Sequence, residues 1–273
     1  MIEHLLNRLV LVCALVSPAP ALPPHKRRWR FAEALAQATS RTLSVAGVLL
    51  HGSLALGDYL PGRSDVDLLV VVDDPLTDRQ RAALAEAVDQ ERPGAPVRVD
   101  LRVVTRAVAA APTPLPLMEA YLTIKQGREP RIRMEGPCPG ERDLVVEFSV
   151  CRAHGRSILG APPVELIGEV PDEWVLHVGD AQLADWEAIG DDPPYAQLTV
   201  LTACRLWRFA EEAQHCSKDA AGEWALRRDP EMDVVGDALR QRHSDATHPI
   251  DASQVHDLLV RVRGRVARAR AGA

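Results

Sequence analysis

The stretch from Leu49 to Val72, LLHGSLALGDYLPGRSDVDLLVVV, constrains the fold more than any other part of the sequence. It contains an apolar run, a Gly-Ser turn, a loop, and then Asp65 and Asp67 leading into a second apolar run. A run that is apolar on both faces predicts a buried strand. Residues two apart on a strand project from the same face, so we expect the carboxylates of Asp65 and Asp67 to lie together.

The chemistry of this stretch points to a metal and a phosphate. Two neighbouring carboxylates repel each other unless a cation lies between them, and oxygen ligands suit Mg²⁺. Gly52 allows the backbone to approach a phosphate, and Ser53 adds a hydroxyl donor. An Asp-x-Asp pair or a Gly-Ser turn alone is usually structural. Their combination in this order predicts a phosphate-binding turn beside a magnesium-binding strand, as nucleotidyl transfer requires.

A third carboxylate is predicted on the segment Val97–Val104, VRVDLRVV. Its strict alternation predicts a strand with valines and a leucine on one face and Asp100 between Arg98 and Arg102 on the other. Asp100 is a candidate metal ligand, general base, or both, in a two-metal site. The alternative is that Asp100 is neutralised by its flanking arginines on a solvated sheet. The nearby Asp-x-Asp pair favours the catalytic role.

Composition and charge exclude several classes of function. The chain has 273 residues, long enough for two domains, and a net charge of −6, which argues against a nucleic-acid partner. Its five cysteines form no C-x-x-C pair, so neither a disulfide framework nor a zinc site is indicated. The apolar octet Leu9–Val16 is too short to span a bilayer, and use of a nucleoside triphosphate argues against export. We expect a cytoplasmic monomer without a membrane partner.

The periodicity of the chain predicts an α+β fold with two domains. Residues 1–28 are interpreted as an extension of uncertain status, 29–138 as a domain of strands and helices that carries the candidate catalytic residues, and 139–273 as an α-helical bundle. The first half is predicted to contain two helices, Arg30–Ser40 and Thr77–Glu91, and a strand over Thr42–Leu50. The second half is predicted to be helical throughout, with helices at Leu144–Ile158, Pro171–Trp186, Pro194–Gln214, Ser217–Arg228 and Ala252–Ala269.

Three motifs give the chain a family resemblance. They are Gly52-Ser53 with Asp65-Val66-Asp67, the helical segment Val200–Trp207 (VLTACRLW), and the segment Ser217–Ala225 (SKDAAGEWA). With them the chain resembles the aminoglycoside adenylyltransferases that modify streptomycin and spectinomycin, within the polymerase-β-like nucleotidyltransferase superfamily. The resemblance covers about residues 33–270.

The resemblance implies that residues 29–138 form a nucleotidyltransferase domain with a mixed β-sheet, and that the catalytic centre lies between it and the helical domain. It implies ATP as co-substrate, two Mg²⁺ ions held by Asp65, Asp67 and Asp100, and an aminoglycoside as acceptor. It also implies a set of nucleotide-binding residues, namely Gly52, Ser53, Ser64, Arg205 and Lys218. Without the resemblance, an exposed lysine and a helix-surface arginine would be the preferred interpretations of Lys218 and Arg205.

The chain departs from the family at two positions, of which the first is a conservative change and the second bears on the substrate. The family's third carboxylate is usually a glutamate, whereas the matching strand offers Asp100, and Tyr195 stands where the family has a drug-binding aspartate. Trp186 and Asp191 fall on the family's streptomycin-contacting residues, within an acidic segment that suits a guanidinium-bearing ligand. By residue type alone, a solvated acidic helix end with a half-buried tryptophan is equally compatible. The match favours streptomycin over spectinomycin.

Two other functions remain open from the sequence. The same chemistry on a protein side chain or another metabolite is one, and a catalytically silent protein that binds a nucleotide or antibiotic is the other. A phosphotransferase is disfavoured, because His243-Ser244-Asp245 faintly resembles a kinase catalytic loop but Ile250 stands where its asparagine should be.

Overall fold

The computed structural model describes residues 24–91, 98–124, 133–139, 142–189, 195–244 and 249–272. The strands are β1 Val45–His51, β2 Val66–Val72, β3 Val99–Thr105, β4 Leu117–Met118, β5 Ala120–Ile124, β6 Arg133–Glu135, β7 Cys138–Pro139 and β8 Arg156–Gly160. The helices of the first half are α1 Pro24–Thr42, α2 Gly52–Ala55, α3 Asp78–Gln90 and α4 Arg106–Ala110. Those that follow are α5 Leu144–His154, α6 Pro163–Leu166, α7 Asp172–Ile189, α8 Ala196–Glu212, α9 Lys218–Arg228, α10 Asp233–His243 and α11 Ala252–Gly272.

A mixed sheet with the order β6-β5-β3-β2-β1-β8 forms the centre of the first half. Strands β2 and β3 are parallel, with Asp67 paired to Asp100, and the other neighbours in this sheet are antiparallel. Helix α3 supplies the crossover between the two parallel strands, and its N-cap Thr77 forms a capping box with Gln80. The predicted α+β class is confirmed.

The two faces of the sheet carry separate apolar cores, as strand alternation requires. Leu68, Val70, Val99, Leu101 and Val103 pack into the core that contains α1 and α3. The opposite face packs Leu69, Val71 and Val104 against α5. Asp67 and Asp100 belong by alternation to this second face, so their carboxylates lie on the side of the sheet that α5 covers.

The prediction of one helix over Leu144–Ile158 is wrong. Helix α5 ends at His154, and Ile158 lies in β8, which pairs with β1 as an edge strand of the sheet. Gly155 at the helix C-cap ends α5, and Gly160 closes the strand with a φ of 75°. The chain therefore returns to the sheet after residue 139 before the helical half begins.

Helices α7 to α11 form the second half around a core of their own. Trp207, Val200, Val235, Leu259 and Val262 are buried at its centre. The predicted helices from Pro171, Pro194, Ser217 and Ala252 correspond to α7, α8, α9 and α11, whereas α10 was not predicted.

Helix α1 begins within the segment interpreted as an extension. It starts at Pro24, and Arg28 Nε donates a hydrogen bond of 2.9 Å to the hydroxyl of Tyr59. The boundary at residue 28 therefore falls inside a helix that packs on the sheet. In the described part of the chain, every helix is too short or too polar to cross a membrane.

Candidate active site

A cleft of about 450 Å³ lies between the Gly-Ser loop of the first half and helices α5, α7, α8 and α9. Acidic and basic side chains share its wall. The acids are Asp58, Asp65, Asp67, Asp143 and Glu147, and the bases are Arg63, Arg98, Arg205, Lys218 and Arg242. A cleft whose wall carries both carboxylates and cations suits a triphosphate held with a metal ion.

The carboxylates of the sheet meet at the mouth of β2 and β3. Because β2 and β3 are parallel and in register, Asp67 and Asp100 are direct neighbours, and Asp65 lies just before β2. Burial, followed by the charges of Asp100 and Asp65, raises the pKa of Asp67 to about 7. A divalent cation would relieve this repulsion, so the donors fit Mg²⁺. Within the described residues, no three acidic, histidine or cysteine side chains already converge as a preformed metal site.

The sequence predicted a turn at Gly52 and Ser53, and the structure instead begins the short helix α2 with these two residues, directly after β1. Gly52 has a φ of 63°, and a Cβ atom at this position would lie well under 3.0 Å from Asp67 Oδ2. The missing side chain therefore makes room first for the Asp67 carboxylate. Ser53 Oγ is buried and has no hydrogen-bond partner among the described residues. Ser64 Oγ accepts a bond of 3.0 Å from the Leu60 N–H and so closes the loop between Ser53 and Asp65.

Both arginines that flank Asp100 form ion pairs with carboxylates. The alternative interpretation placed these pairs on a solvated sheet face, whereas the Arg102 side chain is buried. Arg98 Nε lies 2.9 Å from Asp65 Oδ1. Arg102 Nη1 lies 3.4 Å from Asp100 Oδ1, with only 4% of the Arg102 side chain exposed. Tyr121 donates a hydrogen bond of 3.1 Å to the other oxygen of Asp100, and the Arg102 guanidinium lies 4.6 Å from the centre of the Tyr121 ring. Asp100 Oδ2 is thus hydrogen-bonded, whereas Oδ1 is buried without a hydrogen-bond partner among the described residues and has only the charge of Arg102 nearby.

Two acids that sequence analysis did not select, Asp143 and Glu147, enter the cleft from α5. Arg102 binds both: Nη2 lies 3.2 Å from Asp143 Oδ2, and Nη1 contacts Glu147 Oε1. Burial raises the pKa of Glu147 well above its ordinary value, and the Arg102 charge opposes that shift. A signal was present in the sequence, because Glu147 falls on the same helical stripe as Leu144 and Cys151, both fully buried.

Arg205 and Lys218 supply positive charge to the cleft from the helical half. Lys218 is the first residue of α9, and Ser217 caps the helix by accepting a hydrogen bond from the Ala220 N–H. Burial, together with the charges of Arg205 and Arg242, lowers the pKa of Lys218 to about 8. Burial also lowers the pKa of Arg205. Cations crowded in this way gain from a polyanionic ligand.

A second group of charges, not selected from the sequence, joins the two halves beside the cleft. Arg242 of α10 lies 2.8 Å from Asp58 Oδ2, and each side chain is 7% exposed. Asp58 also accepts a bond of 3.1 Å from the Lys218 N–H. Arg63 Nη1 donates to the carbonyl oxygens of Gln241 and Arg242. The loop between α2 and β2 is thereby tied to helices α9 and α10.

The structure does not place the predicted drug-binding residues in the lining of this cleft. Trp186 of α7 is half-buried against the core of the helical half, and it is not among the described residues that line the cleft. Asp191 lies outside the described residues. The acidic segment is also partly neutralised, because Arg263 pairs with Asp180 at 3.0 Å and with Glu187 at 2.5 Å. Tyr195 is 59% exposed at the start of α8.

Comparison with known proteins gives the same domain order. Residues 31–120 match the nucleotidyltransferase domain model, and residues 165–263 match the C-terminal domain of aminoglycoside adenylyltransferases. Proteins of Klebsiella pneumoniae and Escherichia coli named aminoglycoside (3'')(9) adenylyltransferase are each 26% identical over 192 residues, covering 68% of this chain and 73% of each relative. The spectinomycin adenyltransferase AAD(9) of Enterococcus faecialis, solved with ATP and spectinomycin, shares the fold with a TM-score of 0.66. It is 18% identical, and the match covers 89% of this chain and 99% of that one.

These matches agree with the site that the structure assembles. The nucleotidyltransferase match contains the Gly-Ser turn and all three sheet carboxylates, and the C-terminal match contains Arg205 and Lys218. The two domains that define the family thus occur in this chain in the expected order. The chain belongs to the aminoglycoside adenylyltransferase family of nucleotidyltransferases.

Proposed function

We propose that the protein transfers AMP from ATP to a hydroxyl group of an aminoglycoside, with Mg²⁺, and so confers antibiotic resistance. One observation carries this proposal: a single cleft contains the Asp65 and Asp67 carboxylates together with Arg205 and Lys218. Carboxylates that can share metal ions and cations that can bind phosphates are the two requirements of phosphoryl-type transfer.

The sheet carboxylates have the metal-binding role in this proposal. Asp65, Asp67 and Asp100 hold two Mg²⁺ ions, which when bound orient the triphosphate and neutralise charge at the α-phosphate. Asp65 must then exchange its ion pair with Arg98 for the metal. Asp100, fixed by Arg102 and Tyr121, serves as the third catalytic carboxylate.

The nucleotide is held by groups from both halves. Ser53 offers a buried hydroxyl without a partner among the described residues, next to the turn at Gly52. Lys218 and Arg205 bind the phosphates as cations, and Ser64 keeps the loop before Asp65 in place. The in-line geometry of the transfer then depends on where the acceptor hydroxyl binds in the cleft.

Streptomycin is the proposed acceptor, with spectinomycin poor or unused. The support comes from Trp186 and Asp191, which match the family's streptomycin contacts, and from the two guanidinium groups of streptomycin, which suit carboxylates. Acceptor-dependent release of pyrophosphate should be measured with both drugs at saturating Mg²⁺ and ATP. Efficient use of spectinomycin with no turnover of streptomycin would contradict the assignment.

The two drug-contact residues can be tested against neighbours of the same type. Trp186→Ala and Asp191→Asn should each weaken the binding of streptomycin by about 1–3 kcal/mol, the scale of a lost charge-assisted contact. Trp174, half-buried on the same helix, and Asp192 are the matched controls, and their variants should behave like the parent. A Trp186→Ala protein with unchanged KM for streptomycin would remove the argument for this drug.

The remaining proposals concern the setting of the reaction. We place the enzyme in the cytoplasm, where ATP is available, as a monomer without a nucleic-acid partner. The same chemistry on a protein side chain or another metabolite is the second candidate. It is favoured if pyrophosphate release requires no aminoglycoside but does require a cellular acceptor.

A further inference from the structure

Asp58 connects two groups that the proposed transfer needs, Ser53 of the first half and Lys218 of the second. Its own N–H donates a hydrogen bond of 2.9 Å to the carbonyl oxygen of Ser53. Its carboxylate accepts a bond of 3.1 Å from the Lys218 N–H. All three residues line the cleft. One residue therefore joins a proposed nucleotide-binding group of each half.

The bond from Asp58 to the Lys218 N–H is the one that can place α9 relative to the sheet. Ser217 caps the same helix through the Ala220 N–H, and its carbonyl oxygen accepts the Ala221 N–H. Those bonds stay within the first turn, so they fix its shape but not its position. Among the described residues, Asp58 alone bonds from the first half to an N–H of this turn. A change at position 58 should therefore shift Lys218 relative to the sheet.

Arg242 fixes the direction of the Asp58 carboxylate. The guanidinium lies 2.8 Å from Asp58 Oδ2, and each side chain is 7% exposed. It also donates a bond of 3.0 Å to the Asp58 carbonyl oxygen, while its Nε donates a bond of 2.8 Å to Asp219 Oδ1. Asp58 thus has bonds at its N–H, its carbonyl oxygen and its carboxylate, so the carboxylate stays directed at Lys218.

We propose that Asp58 is a positioning residue of the transfer, which sets the place of Lys218 relative to Ser53 so that both reach one triphosphate. This inference rests on the proposed adenylyl transfer, in which Ser53 and Lys218 bind the nucleotide. Position matters because a misplacement of about 1 Å can cost a large part of the effect of a binding group. An uncompensated carboxylate here would repel the triphosphate, but Arg242 balances its charge. Asp58 therefore acts through Lys218 and does not itself bind the nucleotide.

A double-mutant cycle on ATP affinity tests whether Asp58 acts through Lys218. Binding of ATP with Mg²⁺ is measured by calorimetry, on proteins whose folding is checked by urea unfolding. Asp58→Ala should weaken ATP binding about tenfold, the scale of a lost charge-assisted bond. In the Lys218→Met protein, which already lacks the cation, the same change should cause no further loss. If Asp58→Ala does not fold, Asp58→Leu with Arg242→Met removes both members of the buried pair and replaces it in the cycle.

Asp58→Asn separates positioning from stability. Its amide oxygen can still accept the bond from the Lys218 N–H, but the variant has no charge to pair with Arg242. ATP affinity should therefore return most of the way to that of the parent. The free energy of unfolding should stay lowered, as in Asp58→Ala, because the buried guanidinium has lost a charged partner.

Asp73→Ala provides the matched control. The Asp73 carboxylate also pairs with an arginine and a hydroxyl, Arg106 at 2.8 Å and Ser44 at 2.9 Å. It is not among the described residues that line the cleft, and its partners all belong to the first half. Asp73→Ala should therefore bind ATP as the parent does.

Three results would overturn the proposal. The first is parental ATP affinity in Asp58→Ala, and the second is an equal loss from this change in the parent and in Lys218→Met. The third is an Asp58→Asn protein that binds ATP as weakly as Asp58→Ala. The parent tests the proposed function separately, through acceptor-dependent release of pyrophosphate. If it binds ATP but modifies no aminoglycoside, the proposed acceptor is wrong and the cycle still decides the role of Asp58. If it does not bind ATP with Mg²⁺, both proposals are wrong.

Discussion

Gly52 and Gly57 both adopt a positive φ, but their surroundings differ. Both have positive φ, 63° and 76°, but an added Cβ at Gly52 would collide with the Asp67 carboxylate, whereas at Gly57 it would meet nothing within 4 Å. We expect Gly57→Ala to cost about 1–2 kcal/mol of folding free energy from backbone strain alone and to keep its activity. Gly52→Ala should cost more and lose turnover. Urea unfolding and steady-state kinetics of the pair provide the check, and equal behaviour of the two variants would contradict the role given to Gly52.

Lys218 should make the stability of the ligand-free protein depend on pH. Its pKa is lowered from 10.5 to about 8 in the fold, chiefly by burial. Between about pH 8 and 10.5 the unfolded chain binds the extra proton, so the stability of the parent should rise with pH in that window. Below pH 8 the buried ammonium destabilises the fold, and Lys218→Met should be more stable than the parent by about 1–3 kcal/mol. Urea unfolding at pH 7.5 and 9.5 measures this difference.

The same variant should bind ATP more weakly, because it lacks the phosphate-binding cation. A loss of about 1–3 kcal/mol in ATP affinity is expected at pH 7.5. Lys26, exposed in α1, provides the control, and Lys26→Met should bind ATP as the parent does. A Lys218→Met protein that is less stable than the parent and binds ATP normally would contradict both predictions.

At the scale of residues, the sequence predicted what lies within one local motif and missed what depends on distant pairing. The Gly-Ser turn, Asp65 and Asp67 are close in the chain, and Lys218 was found at a helix start. Glu147 was missed because its importance depends on Arg102, 45 positions away. The spacing around position 147 predicts a helix, but it does not show which strand that helix packs against.

At the scale of elements, α1 is the part whose extent the sequence underestimated. The structure begins this helix at Pro24, and Arg28 reaches the hydroxyl of Tyr59 in the loop before β2. A protein that starts at Pro24 keeps this helix and its hydrogen bond, and it serves as the reference for a further truncation. A protein that starts at Trp29 should lose about 1 kcal/mol through the missing hydrogen bond and helix turn.

Two point variants test whether the loss comes from the hydrogen bond between Arg28 and Tyr59. Arg28→Ala and Tyr59→Phe in the full chain should each reproduce part of the loss, because either change removes the same bond. If the protein that starts at Trp29 is as stable as the one that starts at Pro24, the first turns of α1 contribute nothing. The earlier boundary at residue 28 would then stand.

The elements that were wrongly predicted share a physical cause. β8 is a short edge strand whose half-exposed residues have no pattern of their own, and it forms because β1 offers an open edge. α10 has few apolar positions and is held by Arg242 and by contacts with α8 and α9. By contrast, β2, β3 and α8 carry strong apolar periodicity and were predicted with small errors at their ends.

At the scale of the whole molecule, the pair Asp58–Arg242 couples the two halves. The atoms lie 2.8 Å apart and both side chains are almost fully buried. Removing one partner leaves an uncompensated buried charge, so Arg242→Met should lower the free energy of unfolding by about 3–5 kcal/mol. Asp58→Leu together with Arg242→Met should cost less than the sum of the single changes.

A double-mutant cycle in urea measures that coupling. Arg240, which pairs with Asp237 on the exposed face of the same helix, provides the surface control, and Arg240→Met should cost less than about 1 kcal/mol. Additive effects of Asp58→Leu and Arg242→Met would show that the two halves are not coupled through this pair.

The most direct test of the proposed function is the mass of the product. The parent protein, given Mg²⁺, ATP and streptomycin, should release pyrophosphate and convert the drug to an adduct that carries one AMP. Asp67→Asn, which loses a proposed metal ligand, should remain folded and lose at least about a hundredfold of this rate. Three results would contradict the account. The first is that streptomycin and a panel of other aminoglycosides all remain unmodified, and the second is a phosphorylated drug with release of ADP. The third is full activity in Asp67→Asn.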